Sequence, residues 1–268
     1  MKIKIFLLVI LFCNTNLLLA QNARLSTNHR IGWYNYFSTF QVSKKFSFHT
    51  EYQLRRNEIV TQWQQSLLRL GVNYQLNSKV QLRFGYAWVE TFAYGEIPLN
   101  SMGKSFSEYR IFQIATITDK VSMIDLSHRF MLEQRWIGRY SNASLTSEDE
   151  FPLIHRFRYM FRMQAPLKGK EIRNKTPYAA MYNELFIGFG KNVNENIFDQ
   201  NRFGILLGYR LSHLLRIEAG YLNQTLQLGR EVSNRNVFQY NNGLNVNVIC
   251  NFNLIKKNNL LRFDDNKM

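Results

Sequence analysis

Apolar and polar residues alternate with a period of two along most of the chain. The clearest example is "LLRLGVNYQL" over residues 67–76, followed after a polar turn by "VQLRFGYAW" over residues 80–88. Alternation with this period is typical of a strand that has one apolar and one polar face. The two segments therefore predict a β-hairpin with its turn at residues 77–79.

The same alternation recurs in at least six further segments, near residues 46–55, 124–133, 156–163, 205–211, 215–221 and 244–254. Strands of soluble proteins usually have about 5–6 residues, whereas a tilted strand that crosses a bilayer needs about 9–11. An arginine facing lipid costs about 2–4 kcal/mol at the bilayer midplane, so Arg156 and Arg158 must face the interior. The pattern predicts an all-β fold, a transmembrane antiparallel up-and-down β-barrel with its apolar face outward.

The strand count and the connections set the expected topology. About eleven strands can be counted, and single-chain bacterial barrels have an even number, so we predict about 12 strands, with a short one in residues 22–30, and 10 as the alternative. Outer-membrane barrels have short periplasmic turns and long outer loops. Short connections are predicted at 43–45, 77–79, 118–120 and 212–214, and long ones at 92–104, 138–152, 190–200 and 228–234. The long basic connection at 168–176 is the exception.

The first twenty residues, "MKIKIFLLVILFCNTNLLLA", predict a cleaved signal peptide. They have a lysine-bearing start, an apolar core and a small Ala20, and the apolar run is shorter than the roughly 20 residues of a spanning helix. We therefore expect residues 1–20 to be the signal, 21–254 the barrel and 255–268 a polar tail. Without Cys13, Cys250 has no partner for an intramolecular disulfide. The expected location is the cell outer membrane.

Several segments are similar to those of a known family, among them "SEYRIFQ", "HRFMLEQRW", "RFRYMFR" and "YNELFIGFG". With the hairpin they resemble the domain-of-unknown-function 2490 family, exported proteins of Gram-negative bacteria. The resemblance runs from about Trp33 to Leu254 and implies an outer-membrane β-barrel with no established activity. The chain departs from a common barrel pattern at its end, where a polar tail follows "NVICNFNL" in place of a terminal aromatic residue.

Charged residues on the polar face are the candidate site. The chain has 34 Lys and Arg against 19 Asp and Glu, a formal net charge of +15. The predicted lumen-lining set is Arg69, Arg83, Arg110, Arg129, Arg135, Arg156, Arg158, Arg162, Arg210, Arg216, Glu51, Glu108, Asp125, Glu133, Glu184 and Glu218. An arginine-lined lumen favours a narrow passive channel for small anionic solutes. The alternative is a closed structural or binding barrel, because arginine binds carboxylates bidentately and a salt-bridged network could fill the lumen.

Aromatic residues near the predicted strand ends indicate where the barrel meets the lipid headgroups. Amphipathic rings concentrate at this level of a bilayer, although aromatic residues also favour strands in general. The predicted aromatic girdle contains Trp33, Trp88, Trp136, Tyr178 and Phe189.

Other functional classes find less support in the sequence. An outer-membrane lipid-modifying enzyme would need a serine paired with a histidine. The inward set Ser47, His49 and Glu51 offers both residue types. Successive members of this set lie about 6.5 Å apart at Cα, which is too far for a direct hydrogen bond unless the side chains lean together. We expect no catalytic residues, metal or cofactor. The positive charges are not gathered on one face, so no nucleic acid is expected. The expected partners are outer-membrane lipids and small anionic solutes, with the protein a monomer.

Overall fold

Each alternating segment of the sequence forms a strand in the computed structural model, which describes residues 24–193 and 197–255. The strands are β1 (Arg24–Gln41), β2 (Phe46–Asn57), β3 (Gln62–Gln75), β4 (Val80–Thr91), β5 (Phe106–Val121), β6 (Ile124–Ile137), β7 (Leu153–Pro166), β8 (Thr176–Phe189), β9 (Phe198–Arg210), β10 (Leu215–Val232) and β11 (Arg235–Asn253). Among these residues no helix is long and apolar enough to span a bilayer. The predicted signal peptide and nearly all of the predicted polar tail, residues 256–268, lie outside the described residues.

The strands close into one barrel of eleven strands over the described chain. Consecutive strands pair antiparallel, and a parallel pairing of β1 with β11 completes the ring, from Arg24 opposite Asn236 to Gln41 opposite Asn253. The expectation of about twelve strands was too high by one, because residues 24–30 extend β1 instead of forming a strand of their own. Since the number is odd, β1 begins at one end of the barrel and β11 finishes at the other.

The longest connections, residues 92–105 and 138–152, leave the same end of the barrel, which we call the long-loop end. The predicted long loop at 228–234 is wrong, because β10 and β11 continue to a two-residue turn. Ser233 and Asn234 in that turn have positive φ angles of 52° and 55°, as a tight hairpin requires. The turn predicted at 118–120 also moves, to Ser122 and Met123, because β5 continues to Val121.

The two faces of the wall differ as the alternation predicts. On β3 and β4 the outward side chains of Leu70, Phe84 and Trp88 are exposed, whereas Arg69 and Ala87 between them are buried inside. The interior also holds apolar side chains, including Phe112, Phe186 and Leu206, each with no exposed surface. The barrel is therefore apolar outside and filled inside by a mixture of charged groups, amides and rings.

Candidate functional site: the barrel interior

Glu133 on β6 lies at the centre of an ion-paired network inside the barrel and has no exposed surface. Its Oε2 atom accepts a hydrogen bond from Nε of Arg156 at 2.8 Å and forms an ion pair with Nη2 of the same residue at 2.6 Å. Its Oε1 atom accepts one from Nη1 of Arg158 at 3.0 Å, with Arg110 and Arg69 at 3.8 and 3.9 Å. One carboxylate thus offsets part of the charge of four guanidinium groups.

Several ion pairs join strands that are not neighbours in the sheet, so their side chains must cross the lumen. Arg69 on β3 reaches Glu133 on β6, three positions around the ring. At the same separation, Arg162 on β7 binds Glu218 on β10 with Nη2 to Oε1 at 2.5 Å. Buried ionic groups need partners with good geometry, and these pairs supply them across the interior.

Other carboxylates on the inner wall have their own arginines. Glu184 accepts from Arg158 at 2.8 Å and from Arg129 at 2.7 Å. Bidentate pairing joins Glu108 to Arg110 on the same strand, and Arg135 adds a second guanidinium. Glu51 accepts two hydrogen bonds from Nη1 of Arg69, at 2.7 and 2.8 Å.

Twelve of the sixteen predicted lumen residues form ion pairs in the interior, most of them in the network around Glu133, but four have other partners or none. Arg83 donates to the amide oxygen of Asn73. Arg210 donates to backbone carbonyls of the β7–β8 and β9–β10 connections, at the end of the barrel opposite the long-loop end, which we call the short-turn end. Asp125 accepts a 3.4 Å hydrogen bond from Gln164. Arg216 has no carboxylate within ion-pair distance among the described residues. All four lie nearer the short-turn end, away from the network centre.

The predicted aromatic girdle divides into two groups. Trp88, Trp136 and Phe189 lie on the outward face at the long-loop end; Trp136 is half-buried and pairs with the exposed Tyr109. Trp33 and Tyr178 were assigned wrongly, because both point into the barrel. The phenol of Tyr178 donates to Glu218 at 2.7 Å, and the indole of Trp33 donates to Gln64 at 2.9 Å.

The predicted lumen-lining set left out charged residues of the inner wall, among them Arg55, Arg202 and Asp199. Arg55 shares its face with Glu51, and Arg202 shares its face with Arg210, so period-two spacing could have found both. Asp199 lies at a β-bulge, where Phe186 pairs with Gln200 but Ile187 pairs with Phe198. The extra residue lets Asp199 and Gln200 both turn inward, and Asp199 binds Arg156 at 2.5 Å. A bulge breaks the spacing rule, so this position gave no signal.

The β4–β5 loop, residues 92–105, forms a strap across the long-loop end. The Tyr94 hydroxyl donates to Gln239 on β11 at 3.0 Å, and Gln239 donates to the Ile97 carbonyl at 3.0 Å. Arg230 on β10, at the opposite side of the ring, donates to the Pro98 carbonyl at 2.8 Å. Burial raises the pKa of the Tyr94 phenol, so it remains a neutral donor.

Two cavities lie at opposite ends of the barrel interior. The cavity at the long-loop end, which we call the vestibule, has a volume of about 490 Å³ and is lined by the strap and by the inner wall around Trp33, Arg135 and Arg202. The other, of about 710 Å³, is lined by Arg162, Arg216 and the short turns. The side chains around Glu133 and Glu184 lie between them.

The inward Ser47, His49 and Glu51 do not form a catalytic arrangement. His49 lies 3.3 Å from Glu51, but the Ser47 hydroxyl accepts a hydrogen bond from Asn73 at 2.9 Å. No hydrogen bond joins Ser47 to His49 in the described part of the chain. Over the same residues, no group of three or more His, Cys, Asp and Glu side chains could hold a metal ion.

A closed barrel with an apolar exterior and an ion-paired interior defines the class of this protein as a β-barrel with a polar lumen. A family model of proteins of unknown function, DUF2490, matches residues 31–235, and the chain belongs to that family. A comparison with curated proteins gives no match.

Proposed function

We propose that the protein is an outer-membrane barrel, closed at its middle by ion pairs, that acts by binding or as a structural element and not as an open pore. Its exposed outward face supports insertion in a bilayer, since Leu70, Phe84, Leu207 and many other large apolar side chains are exposed on the wall. Soluble proteins rarely expose apolar surface on this scale.

The observation that carries the proposal is the ion-paired layer around Glu133, in which Arg69 on β3 reaches across the lumen to this carboxylate on β6. A channel for small anions needs an open path lined by arginines that are free to attract solutes. Here Arg69, Arg156 and Arg158 converge on one carboxylate, and the strap lies across the long-loop end. These contacts favour a divided interior.

A narrow anion channel is the second candidate. Arg55, Arg83 and Arg202 have no carboxylate within ion-pair distance among the described residues, so the interior retains positive charge that would select anions. The channel requires that both the strap and the ion-paired layer move apart.

Single-channel conductance of the refolded full-length protein in a planar bilayer distinguishes the two candidates. We expect no steady conductance steps from protein that is shown to be folded by circular dichroism. A variant in which residues 95–103 are replaced by a short glycine-serine linker should also be silent, because the ion-paired layer remains. Steady anion-selective steps from the unmodified protein would reject the closed barrel and support the channel.

Cysteine labelling in whole cells tests the membrane location and orientation. In a Cys250→Ser background, Ser144→Cys in an exposed long loop should react with a membrane-impermeant maleimide. Lys168→Cys, in the exposed connection at the opposite end, should react only after the outer membrane is permeabilised. Equal labelling of both positions in intact cells would contradict the proposed orientation, and labelling of neither after permeabilisation would contradict their exposure.

A further inference from the structure

Two buried arginines at the base of the vestibule lie against the same aromatic ring. The guanidinium carbon of Arg55 is 4.0 Å from the ring centroid of Trp33, and that of Arg202 is 4.7 Å from it. Both side chains are more than nine-tenths buried. Neither has a carboxylate within ion-pair distance among residues 24–193 and 197–255.

The partners of these two arginines are neutral. Arg55 donates to the side-chain oxygens of Gln53 and Gln65, and Arg202 donates through Nε to Gln200 at 3.0 Å. The two terminal nitrogens of Arg202 donate to no described residue, and they are not among the fully buried atoms that lack a partner. Since Arg202 lines the vestibule, these nitrogens can donate to a ligand held there.

The vestibule as a whole has an excess of positive charge. In the described part of the chain seven arginines and two carboxylates line it. Glu108 and Asp199, the two carboxylates, are already bound by Arg110, Arg135 and Arg156. Burying a guanidinium without a counter-charge is costly, and a bound anion would offset that cost.

The uncharged groups that line the vestibule indicate the chemistry of the uncharged part of the ligand. Amide and hydroxyl side chains, among them Gln65, Asn100, Ser101 and Gln227, line the wall beside the arginines. Such groups donate to and accept from hydroxyls. A volume of about 490 Å³ falls in the range of roughly 300–1,000 Å³ that is usual for small-molecule sites.

We infer that the vestibule binds a small polyhydroxylated acid, a sugar that bears a phosphate or carboxylate, with its anionic group held by Arg202 and Arg55. This inference rests on the proposed closed barrel, because the ion-paired layer forms the floor of the site. Arginine suits this role because its planar donors match carboxylate and phosphate oxygens bidentately.

Isothermal titration calorimetry of the full-length protein in detergent, at about 0.15 M salt to limit nonspecific attraction, tests the site. The probes are glucose 6-phosphate, glucuronate and, as a neutral control, glucose. We expect at least one acidic probe to bind and glucose not to bind at the same concentration. The substitution Arg202→Gln should weaken binding tenfold or more, because it removes a charge-assisted hydrogen bond.

The matched control is Arg216→Gln, which removes the same charge from the cavity at the opposite end and should leave affinity unchanged. If Arg202→Gln does not fold, Arg202→Lys keeps the charge without the planar fork and should still weaken binding measurably. Equal weakening by Arg202→Gln and Arg216→Gln would overturn the site in favour of general electrostatic attraction. No binding of either acid to folded protein would also overturn it.

Conductance measured on the same preparation separates failure of the site from failure of the closed barrel. Binding of an acid by a protein that conducts would reject the closed barrel and the ion-paired floor of the site, but would keep Arg202 and Arg55 as the anion-binding groups. A silent protein that binds neither acid would retain the closed barrel and reject the site.

Discussion

Replacing Glu133 by glutamine tests whether the barrel interior is a desolvated ion-paired layer. The substitution keeps the shape of the side chain but removes the charge that Arg156 and Arg158 contact at 2.6 and 3.0 Å. Arg69 and Arg110, within 3.9 Å, would lose the same counter-charge. Removing one partner of a buried ion pair costs about 3–5 kcal/mol, because it leaves an uncompensated buried charge.

The assay is equilibrium unfolding in urea of the protein in lipid vesicles, followed by tryptophan fluorescence. We expect Glu133→Gln to lower the free energy of unfolding by about 3–5 kcal/mol. Asp119→Asn is the control, because it breaks an ion pair with Lys79 in which both side chains are more than half exposed. Exposed pairs contribute little, so the control should leave the unfolding midpoint within experimental error.

A double-mutant cycle identifies the cause of the loss. Adding Arg158→Gln to Glu133→Gln removes one of the stranded charges, so the combined loss should be smaller than the sum of the two single losses by about 0.5–3 kcal/mol. If Glu133→Gln costs no more than Asp119→Asn, the interior charges are solvated by water. That result would refute the closed lumen as well as the expected loss of about 3–5 kcal/mol in the free energy of unfolding.

Two further predictions concern the wall. In variants that each keep a single one of the four tryptophans, brominated lipid should quench the fluorescence of Trp88, which is 48% exposed, but not that of Trp33, which is 4% exposed. Equal quenching of the two would contradict the inward assignment of Trp33. Gly243→Ala should lower the yield of folded barrel, seen as a band shift in unheated gel samples, because a Cβ at this position would lie 1.7 Å from the Ile31 carbonyl oxygen in the closing seam. Gly71→Ala, with its nearest contact at 3.1 Å, should have the smaller effect.

The alternation in the sequence predicted the architecture well because a strand with one lipid face and one interior face must repeat every two residues. The same rule could have corrected the girdle. Tyr178 lies six residues before Glu184 on one strand, so an inward Glu184 requires an inward Tyr178. Trp33 is followed by a second aromatic residue, Tyr34, and two adjacent residues cannot both face lipid on a regular strand, so only one of them could belong to a girdle.

Contacts across the lumen were beyond the reach of sequence reasoning. Pairing of Arg69 with Glu133 depends on the barrel's circumference and on the vertical register of strands three positions apart. Each strand's pattern fixes only which way its own side chains point. The bulge at Asp199 and the path of the strap depend on backbone geometry in the same way, so neither left a periodic signal.

The width of the barrel explains why its interior needs so many long charged side chains. About eight strands already enclose a space that ordinary side chains fill, so eleven strands need side chains that reach further. Arginine is long enough to meet a carboxylate on a distant strand, as Arg162 does with Glu218. Filling the lumen therefore accounts for the arginines that have carboxylate partners. It does not account for Arg55 and Arg202, which have no carboxylate within ion-pair distance among the described residues and whose hydrogen-bond partners there are amides. This difference is why the vestibule is the part of the interior to test for a ligand.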